Sequence, residues 1–287
     1  MPPRAVPDPI AHSLTTRFRE TIFSPFVGAV QKYGLIRPGD RIAVCLSGGK
    51  DSMLLAKCMQ MLQAWARIPF EVIYLSMDPG YAPQDAAMLL KNAALLGIEP
   101  EVFRTDIFAA VEQVRLSPCH VCAAMRRGHL YKEAQVRGCN KIALGHHRDD
   151  AAETVLLSIL YGGQFQAMLP QAKSENYEGM RLIRPLYFVR EKAVRAWAGA
   201  SGLSPITCAC RVTRKPEGGK RARVKRLIAE LEKEQPNTVD NIVAASSRVD
   251  LRGVLSYVPP DGPEKSIMDD FACANPASAG MLSTRIL

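Results

Sequence analysis

The stretch RIAVCLSGGKDSMLL constrains the fold most. An apolar, β-branched run at residues 41–47 stops directly at Gly48 and Gly49, and from Asp51 to Ala66 apolar residues recur at Leu54, Leu55, Cys58 and Leu62, the spacing of one helix face. The order is strand, tight turn, helix, and it recurs. EVIYLSM (71–77) predicts a second strand, APQDAAMLLKNAALLG (82–97) a helix stopped by Gly97, and EPEVFRT (99–105) a third strand. A helix follows from about Val121 to Arg137, and NKIALGHH (140–147) predicts a fourth strand. Strands that alternate with helices need crossovers, so the expected fold is α/β, an open parallel sheet with helices on both faces. Such sheets bind ligands beyond the carboxyl ends of their strands. Residues 8–34 precede this core as an amphipathic helical segment ending near Gly34.

Two segments directly follow predicted strands and therefore share that edge. In Ser47–Ser52 the adjacent glycines let backbone approach a ligand, while Ser47, Ser52 and the N–H groups opening the next helix can donate to anionic oxygens. This is not a Walker A loop, which needs a glycine four residues before Gly-Lys-Ser/Thr; here Lys50 is followed by Asp51. The second segment, GHHRDDAAETVLL from Gly145, sets His146, His147, Asp149 and Asp150 ahead of a new helix. Paired aspartates there are either helix caps or, facing a phosphate loop, Mg²⁺ ligands, because this hard cation takes carboxylates together with phosphate oxygens. Adjacent histidines point to opposite sides of an extended chain, so one of the two is expected to pack or hydrogen-bond rather than ligate zinc.

With 287 residues, 47% hydrophobic and 23% charged, the chain suits one large globular domain plus an appendage and excludes wholesale disorder. No run of about 18 uncharged apolar residues occurs, and the opening MPPRAVPDPIAHSLTT has no apolar h-region. The expectation is a soluble, cytoplasmic protein with no membrane partner. Eight cysteines without a secretory signal read as thiols or a metal site rather than disulfides. The formal charge of +9 is concentrated: Arg211–Arg226 holds eight basic residues against Glu217 alone. That is the footprint of a polyphosphate partner, nucleic acid being the commonest, with a solvated helix face as the plain alternative.

Cys119 and Cys122 form a C-x2-C beside a helix start, where the dipole favours thiolate, and Cys208 and Cys210 follow about ninety residues later. Spacing alone leaves four readings open: a structural zinc, a redox disulfide, an iron–sulfur cluster, or buried thiols. Cys45, Cys58 and Cys139 lie in or beside apolar elements and are expected in the core, and Cys273 is incidental.

SGGKDS resembles the PP-loop of the ATP pyrophosphatases, and GHHRDDAAET the second motif of their tRNA-modifying branch. Together with CHVCAAMRRGHLYKEA, KIALGHHRDDAAETVLLSILYGG, RLIRPLYFVREKAVRAWA and a later cysteine, the order over about residues 35–210 resembles the tRNA 2-thiocytidine biosynthesis family. The resemblance implies an adenine nucleotide alpha hydrolase-like, Rossmann-like PP-loop domain over 36–205, after an N-terminal helical segment at 1–35 and before a small basic helical C-terminal region at 206–253. It implies ATP cleavage to AMP and pyrophosphate, with Ser47, Gly48, Gly49 and Ser52 cradling the pyrophosphate. Lys50 would neutralise that charge, Asp51, Asp149 and Asp150 would serve Mg²⁺, and Met77 and Gly145 would complete the nucleotide site. It further implies a 4Fe-4S cluster on Cys119, Cys122 and Cys208 with the fourth iron left open for sulfide.

The expected substrate is an anticodon-loop cytidine of tRNA, position 32, adenylated at C2 and thiolated; the alternatives are a PP-loop enzyme thiolating another RNA base or a small molecule, and an RNA-binding protein with a structural zinc and no adenylation activity. The sulfur donor would be a cysteine desulfurase or free sulfide, and the protein a homodimer. Such a base is already partly unpaired, which lowers the cost of flipping it into a pocket. Arg126 and Arg127, one turn past the cysteine pair, either hold RNA phosphates or are exposed helix residues, and Arg184 and Arg190 fall in a stretch shared with the family. Two features depart from the pattern. The second cysteine pair is C-x-C, so Cys210 is a spare thiol, a relay or a fourth ligand, and residues 254–287, rich in Pro, Gly and Ser, read as a mobile tail.

Overall fold

The computed structural model describes residues 8–112, 118–206, 219–259 and 261–266. The chain divides into two compact units, Met1–Val243 and Ala244–Leu287. The first opens with α1 (Pro9–Thr15), capped by Asp8, whose carboxylate accepts from the Ile10 and Ala11 N–H groups, and with α2 (Ser24–Lys32). These are not the single helix expected over 8–34. Between them Arg19–Phe23 winds as a π-turn immediately ahead of Pro25, whose missing N–H and ring are incompatible with an unbroken α ladder.

The sheet and its crossovers follow: β1 (Arg41–Leu46), α3 (Lys50–Trp65), β2 (Glu71–Asp78), α4 (Pro83–Leu95), β3 (Glu101–Arg104), α5 (Ile107–Glu112), α6 (Pro118–Val136), β4 (Lys141–Ala143) and α7 (Arg148–Gly162). A short hairpin, β5 (Gln171–Lys173) and β6 (Arg181–Ile183), leads to α8 (Glu191–Ala200), α9 (Lys220–Glu234) and α10 (Thr238–Ala245). The six strands lie in the order β3-β2-β1-β4-β6-β5, all neighbours parallel except β5 with β6. The chain steps outward from β1 to β2 and β3, then returns to lay β4 on the other side of β1. That reversal opens a crevice between the carboxyl ends of β1 and β4.

β1 explains why the crevice is rigid. Ile42, Val44 and Leu46 point to one face and enter the main core with Phe26, Leu54, Leu55, Met59 and Trp197. Ala43 and Cys45 point to the other and pack with Leu75, Tyr131, Ile142 and Leu182. Cys45, Cys58 and Cys139 are core residues, and burial pushes the Cys45 thiol up to about 12.

Three boundaries differ from expectation for local reasons. β4 ends at Ala143, not at residue 147, because His147 leaves the sheet to cap α7. Cys119 and Cys122 stand inside the first two turns of α6, which Pro118 opens, rather than ahead of it. The segment from 254, read as a tail, carries β7 (Ser256–Tyr257) paired antiparallel with β8 (Lys265–Ser266); residues 267–287 lie outside the described residues. Among the described residues no helix is long and apolar enough to cross a membrane.

Candidate active site

The turn after β1 is wired before any ligand arrives. Gly48 has φ +79°, open to glycine at low cost, and a Cβ there would stand 2.5 Å from Ile206 Cδ1. The Ile206 N–H donates to the Gly48 carbonyl at 3.0 Å, which fastens the end of the described segment 118–206 onto the turn. Ser52 Oγ donates to the Gly49 carbonyl at 2.9 Å and accepts from the Ser47 N–H and Ser47 Oγ, both at 3.2 Å. Gly49 is the extended residue from which α3 starts, so its first N–H groups face the crevice mouth as anion donors.

The second motif meets this turn at backbone contact. A Cβ on Gly145 would fall 2.9 Å from Asp51 C and O and 3.0 Å from Ser52 N, so only glycine lets the two segments touch. His147 and Asp150 then form a reciprocal cap on α7: the Asp150 N–H donates to His147 Nδ1 at 3.3 Å, and the His147 N–H donates to Asp150 Oδ2 at 3.0 Å. With Nδ1 accepting, Nε2 is the ring's donor atom, 3.7 Å from Asp51 Oδ1. Asp149 and Asp150 thus lie within the first turn of α7 rather than ahead of it, and they diverge. Asp149 accepts from the Glu191 N–H at 2.7 Å and from Arg190 at 3.1–3.3 Å, capping α8. Asp150 faces the crevice, with Arg221 at 2.8 Å.

The crevice is a cavity of about 320 Å³. The turn contributes Ser47, Asp51 and Ser52 to its wall, and the second motif contributes Gly145, His146 and Asp150. Met77 and Tyr81 border it from the β2 side, and α6 adds Arg126 and Leu130. Six residues anticipated from sequence, Ser47, Asp51, Ser52, Met77, Gly145 and Asp150, therefore share one cavity. Gly48, Gly49 and Lys50 belong to the turn but do not line it, and Asp149 lies on the α8 side.

Three buried atoms in this wall have no hydrogen-bond partner: Asp51 Oδ1, His146 Nδ1 and Arg126 Nε. Buried polar atoms are seldom left so, and their convergence marks a place built for a polar ligand. Burial, reinforced by Arg184 and Arg221 and opposed by Asp150, pushes the His146 imidazole down to about 4, so it is neutral at physiological pH.

Behind the turn lies a charge network that spacing did not announce. Lys50 Nζ reaches Asp51 Oδ2 at 3.0 Å and Glu191 Oε1 at 3.3 Å. Burial works against its charge, but the two carboxylates hold its pKa above that of an ordinary lysine. Glu191 also takes Lys225 at 2.6 Å and Arg195 at 2.9 Å, and despite burial these cations hold its carboxyl down at about 2. Glu153, buried on α7, pairs with Arg221 at 2.6 Å. Two of the basic residues first read as a polyphosphate footprint, Arg221 and Lys225, thus pair with acids of this chain while keeping half-exposed side chains; Arg223 and Arg226 are exposed as well. Arg184 is half-buried and donates to the Leu169 carbonyl, and Arg190 bridges Asp149 and Glu232.

Cys122 belongs to the apolar cluster of Met77, Met125 and Leu130, one turn before Arg126; Met77, Leu130 and Arg126 line the cavity, and Cys122 lies beside them without lining it. This soft, apolar setting suits a sulfur-ligated group. Cys119 lies three residues earlier in the same helix, and its side chain, with both Cys208 and Cys210, lies outside the described residues. Among the described residues no group of three or more His, Cys, Asp or Glu could hold a metal ion. Asp51 and Asp150 supply two carboxylates, a number Mg²⁺ uses when phosphate and water oxygens complete its shell. The unpartnered Asp51 Oδ1 fits that demand.

Comparison with known proteins agrees with this geometry. The PP-loop domain family matches residues 19–207. A tRNA-cytidine(32) 2-sulfurtransferase of Syntrophotalea carbinolica is 38% identical over 232 residues, 79% of this chain and 88% of the relative. The chain belongs to the tRNA-cytidine(32) 2-sulfurtransferase family. A second family member, from Anaeromyxobacter dehalogenans, is 36% identical over 270 residues, covering 89% of this chain and 91% of the relative. Among solved structures, the U34-tRNA thiolase NcsA from Methanococcus maripaludis with its 4Fe-4S cluster superposes with a TM-score of 0.63 at 22% identity, over 82% of this chain and 84% of that one. This likeness shows the shared fold. The PP-loop match ends one residue before Cys208, so α9, with Arg221 and Lys225, extends this 2-sulfurtransferase family member beyond the matched domain.

Proposed function

We infer that the protein is an ATP-dependent tRNA sulfurtransferase that adenylates C2 of cytidine 32 in the anticodon loop and replaces its oxygen with sulfur. The observation that carries this reading is the cavity at the sheet reversal, where the glycine turn, two carboxylates and the helix of Cys122 converge on three unpartnered polar atoms. Attack of the base O2 on the α-phosphate forms the adenylate and breaks the bond to pyrophosphate. The leaving charge falls where Ser47, Ser52 and the α3 N–H groups are already fixed, and preorganised donors stabilise it without reorganising. Lys50 adds positive charge from behind the turn, and Asp51 and Asp150 would hold Mg²⁺, which when bound would offset phosphate charge, with Asp149 positioning α8 beside them. Met77 packs along the wall between the nucleotide side and Cys122. Expulsion of AMP by the incoming sulfur completes the exchange.

Cys119, Cys122 and Cys208 would hold the 4Fe-4S cluster, which when bound supplies an iron with an open position for sulfur. The reading includes a cysteine desulfurase or free sulfide as donor, a homodimer and a cytoplasmic location with the tRNA. The domain arrangement it carries is a PP-loop domain over 36–205 and a basic helical region over 206–253.

Mass spectrometry of tRNA nucleosides from a deletion strain tests the reading. Loss of 2-thiocytidine, restored by the wild-type gene and not by Cys122→Ala, is expected. Unchanged 2-thiocytidine in the deletion strain, or a colourless zinc-loaded protein on anaerobic purification, would overturn it.

A further inference from the structure

Among the described residues lining the cavity, Arg126 is the one permanently cationic side chain. Lys50, the cation expected from the motif, does not line it and is engaged by Asp51 and Glu191. His146 is the other nitrogen group in the wall, and it is neutral. Arg126 is held in place: its guanidinium lies 5.7 Å over the Phe108 ring, and one terminal nitrogen donates to Tyr81 Oη at 3.4 Å. Its Nε is buried without a partner. A guanidinium presents donors as a planar fork, so a fixed one with an edge unsatisfied calls for an acceptor that can take that edge. Phosphate oxygens do so with charge assistance.

We propose that Arg126 is a second phosphate-binding group of this cavity, gripping a phosphate on the α6 side while the glycine turn takes the leaving pyrophosphate. The inference rests on the function proposed above and deepens it. Two sources supply the same chemistry: a phosphate of ATP, and a backbone phosphate of the tRNA beside the flipped base. Arg127, the next residue, is exposed and does not line the cavity, so the geometry separates two arginines that sequence left equivalent.

The test uses the anaerobically purified holoenzyme in two equilibrium-binding arms, Mg-ATP without RNA and tRNA without ATP, the latter over a range of salt. Arg126→Ala should weaken at least one arm tenfold or more. A nucleotide phosphate predicts loss in the ATP arm alone, with an unaltered salt dependence for tRNA. An RNA phosphate predicts loss in the tRNA arm, with the log–log salt slope falling by about 1. Arg126→Lys keeps the charge and most of the stem but not the fork, and should recover only part of the affinity; it also serves if Arg126→Ala does not fold. Both arms within twofold of wild type in a folded variant would overturn the inference while leaving the function intact. A wild-type holoenzyme that binds neither Mg-ATP nor tRNA would instead sink both.

Discussion

Gly145→Ala should cost this protein both activity and stability, and the structure gives the size of each effect. The added methyl would stand 2.9 Å from Asp51 C and O and 3.0 Å from Ser52 N, all backbone atoms at the start of α3. Ordinary contact begins near 3.4 Å, so the segments must part by about 0.5 Å. Neither can rotate a side chain out of the way, and overpacking of this kind costs about 1–3 kcal/mol. In a unit of this size that lowers Tm by about 3–10 °C. Separation along this line moves Asp51 away from Asp150. Because a misplacement of about 1 Å can cost a hundredfold in rate, half of it should cost about tenfold. Pyrophosphate release with tRNA and thermal melting are the two assays. Gly199→Ala is the control, since no atom lies within 4 Å of its added methyl and it sits in α8, where alanine is neutral to stabilising by up to about 1 kcal/mol. A Gly145→Ala protein with the wild-type rate and a Tm within about 1 °C would refute backbone contact between the two motifs as the reason for this glycine.

Glu191 makes stability pH-dependent. Its carboxyl is held at about 2 against an ordinary 4.5, so its contribution is fully present above about pH 4.5 and is lost as pH falls through about 2. The limit is about 3 kcal/mol, reduced by solvent screening of the half-exposed Lys225 and Arg195. Glu191→Gln should flatten that part of the acid limb in urea midpoints taken between pH 2 and 6; a parallel loss in both proteins would refute it. Asp149→Ala should lower stability by about 3 kcal/mol, because it uncaps α8 and leaves Arg190 with Glu232 alone, whereas Asp149→Asn keeps an acceptor and should lose less; equal melting temperatures would refute the capping role. Cys122→Ala should abolish both thiolation and the broad iron–sulfur absorbance while Mg-ATP affinity persists, measured on anaerobically purified protein.

The parts legible in the sequence are those written by short-range period. RIAVCLS and the spacing of Leu54, Leu55, Cys58 and Leu62 carry period two and period 3.6, which place β1, α3 and the turn between them. The strand–helix alternation then forces parallel pairing, and with it the edge where Ser47 and Gly145 meet. What stayed hidden depends on azimuth and on distant partners. Asp149 and Asp150 are equivalent as text, yet neighbours on a helix point about 100° apart. One therefore faces the cavity and the other caps α8. β5 and β6 have three residues each, too few for any period to emerge. The break at Arg19–Phe23 had its cause in plain view at Pro25, but the apolar periodicity on either side concealed it.

The basic helix shows the same limit in electrostatic form. Sequence displays the charge of Arg211–Arg226 but not the acids that meet it, because Glu153 lies 68 residues before Arg221 and Glu191 lies 34 before Lys225. Once paired, these cations are not surplus. Glu191 is shared by Lys50 from the turn, Arg195 from its own helix and Lys225 from α9, so the loop lysine and the C-terminal helix compete for one buried carboxylate. Weakening any of the three contacts must strengthen the claim of the others, since a buried carboxylate cannot stay unpaired cheaply. The position of Lys50 behind the turn is therefore set in part by a helix that begins thirteen residues past the end of the PP-loop match. The PP-loop motif supplies the lysine; where that lysine rests is decided by α8 and α9.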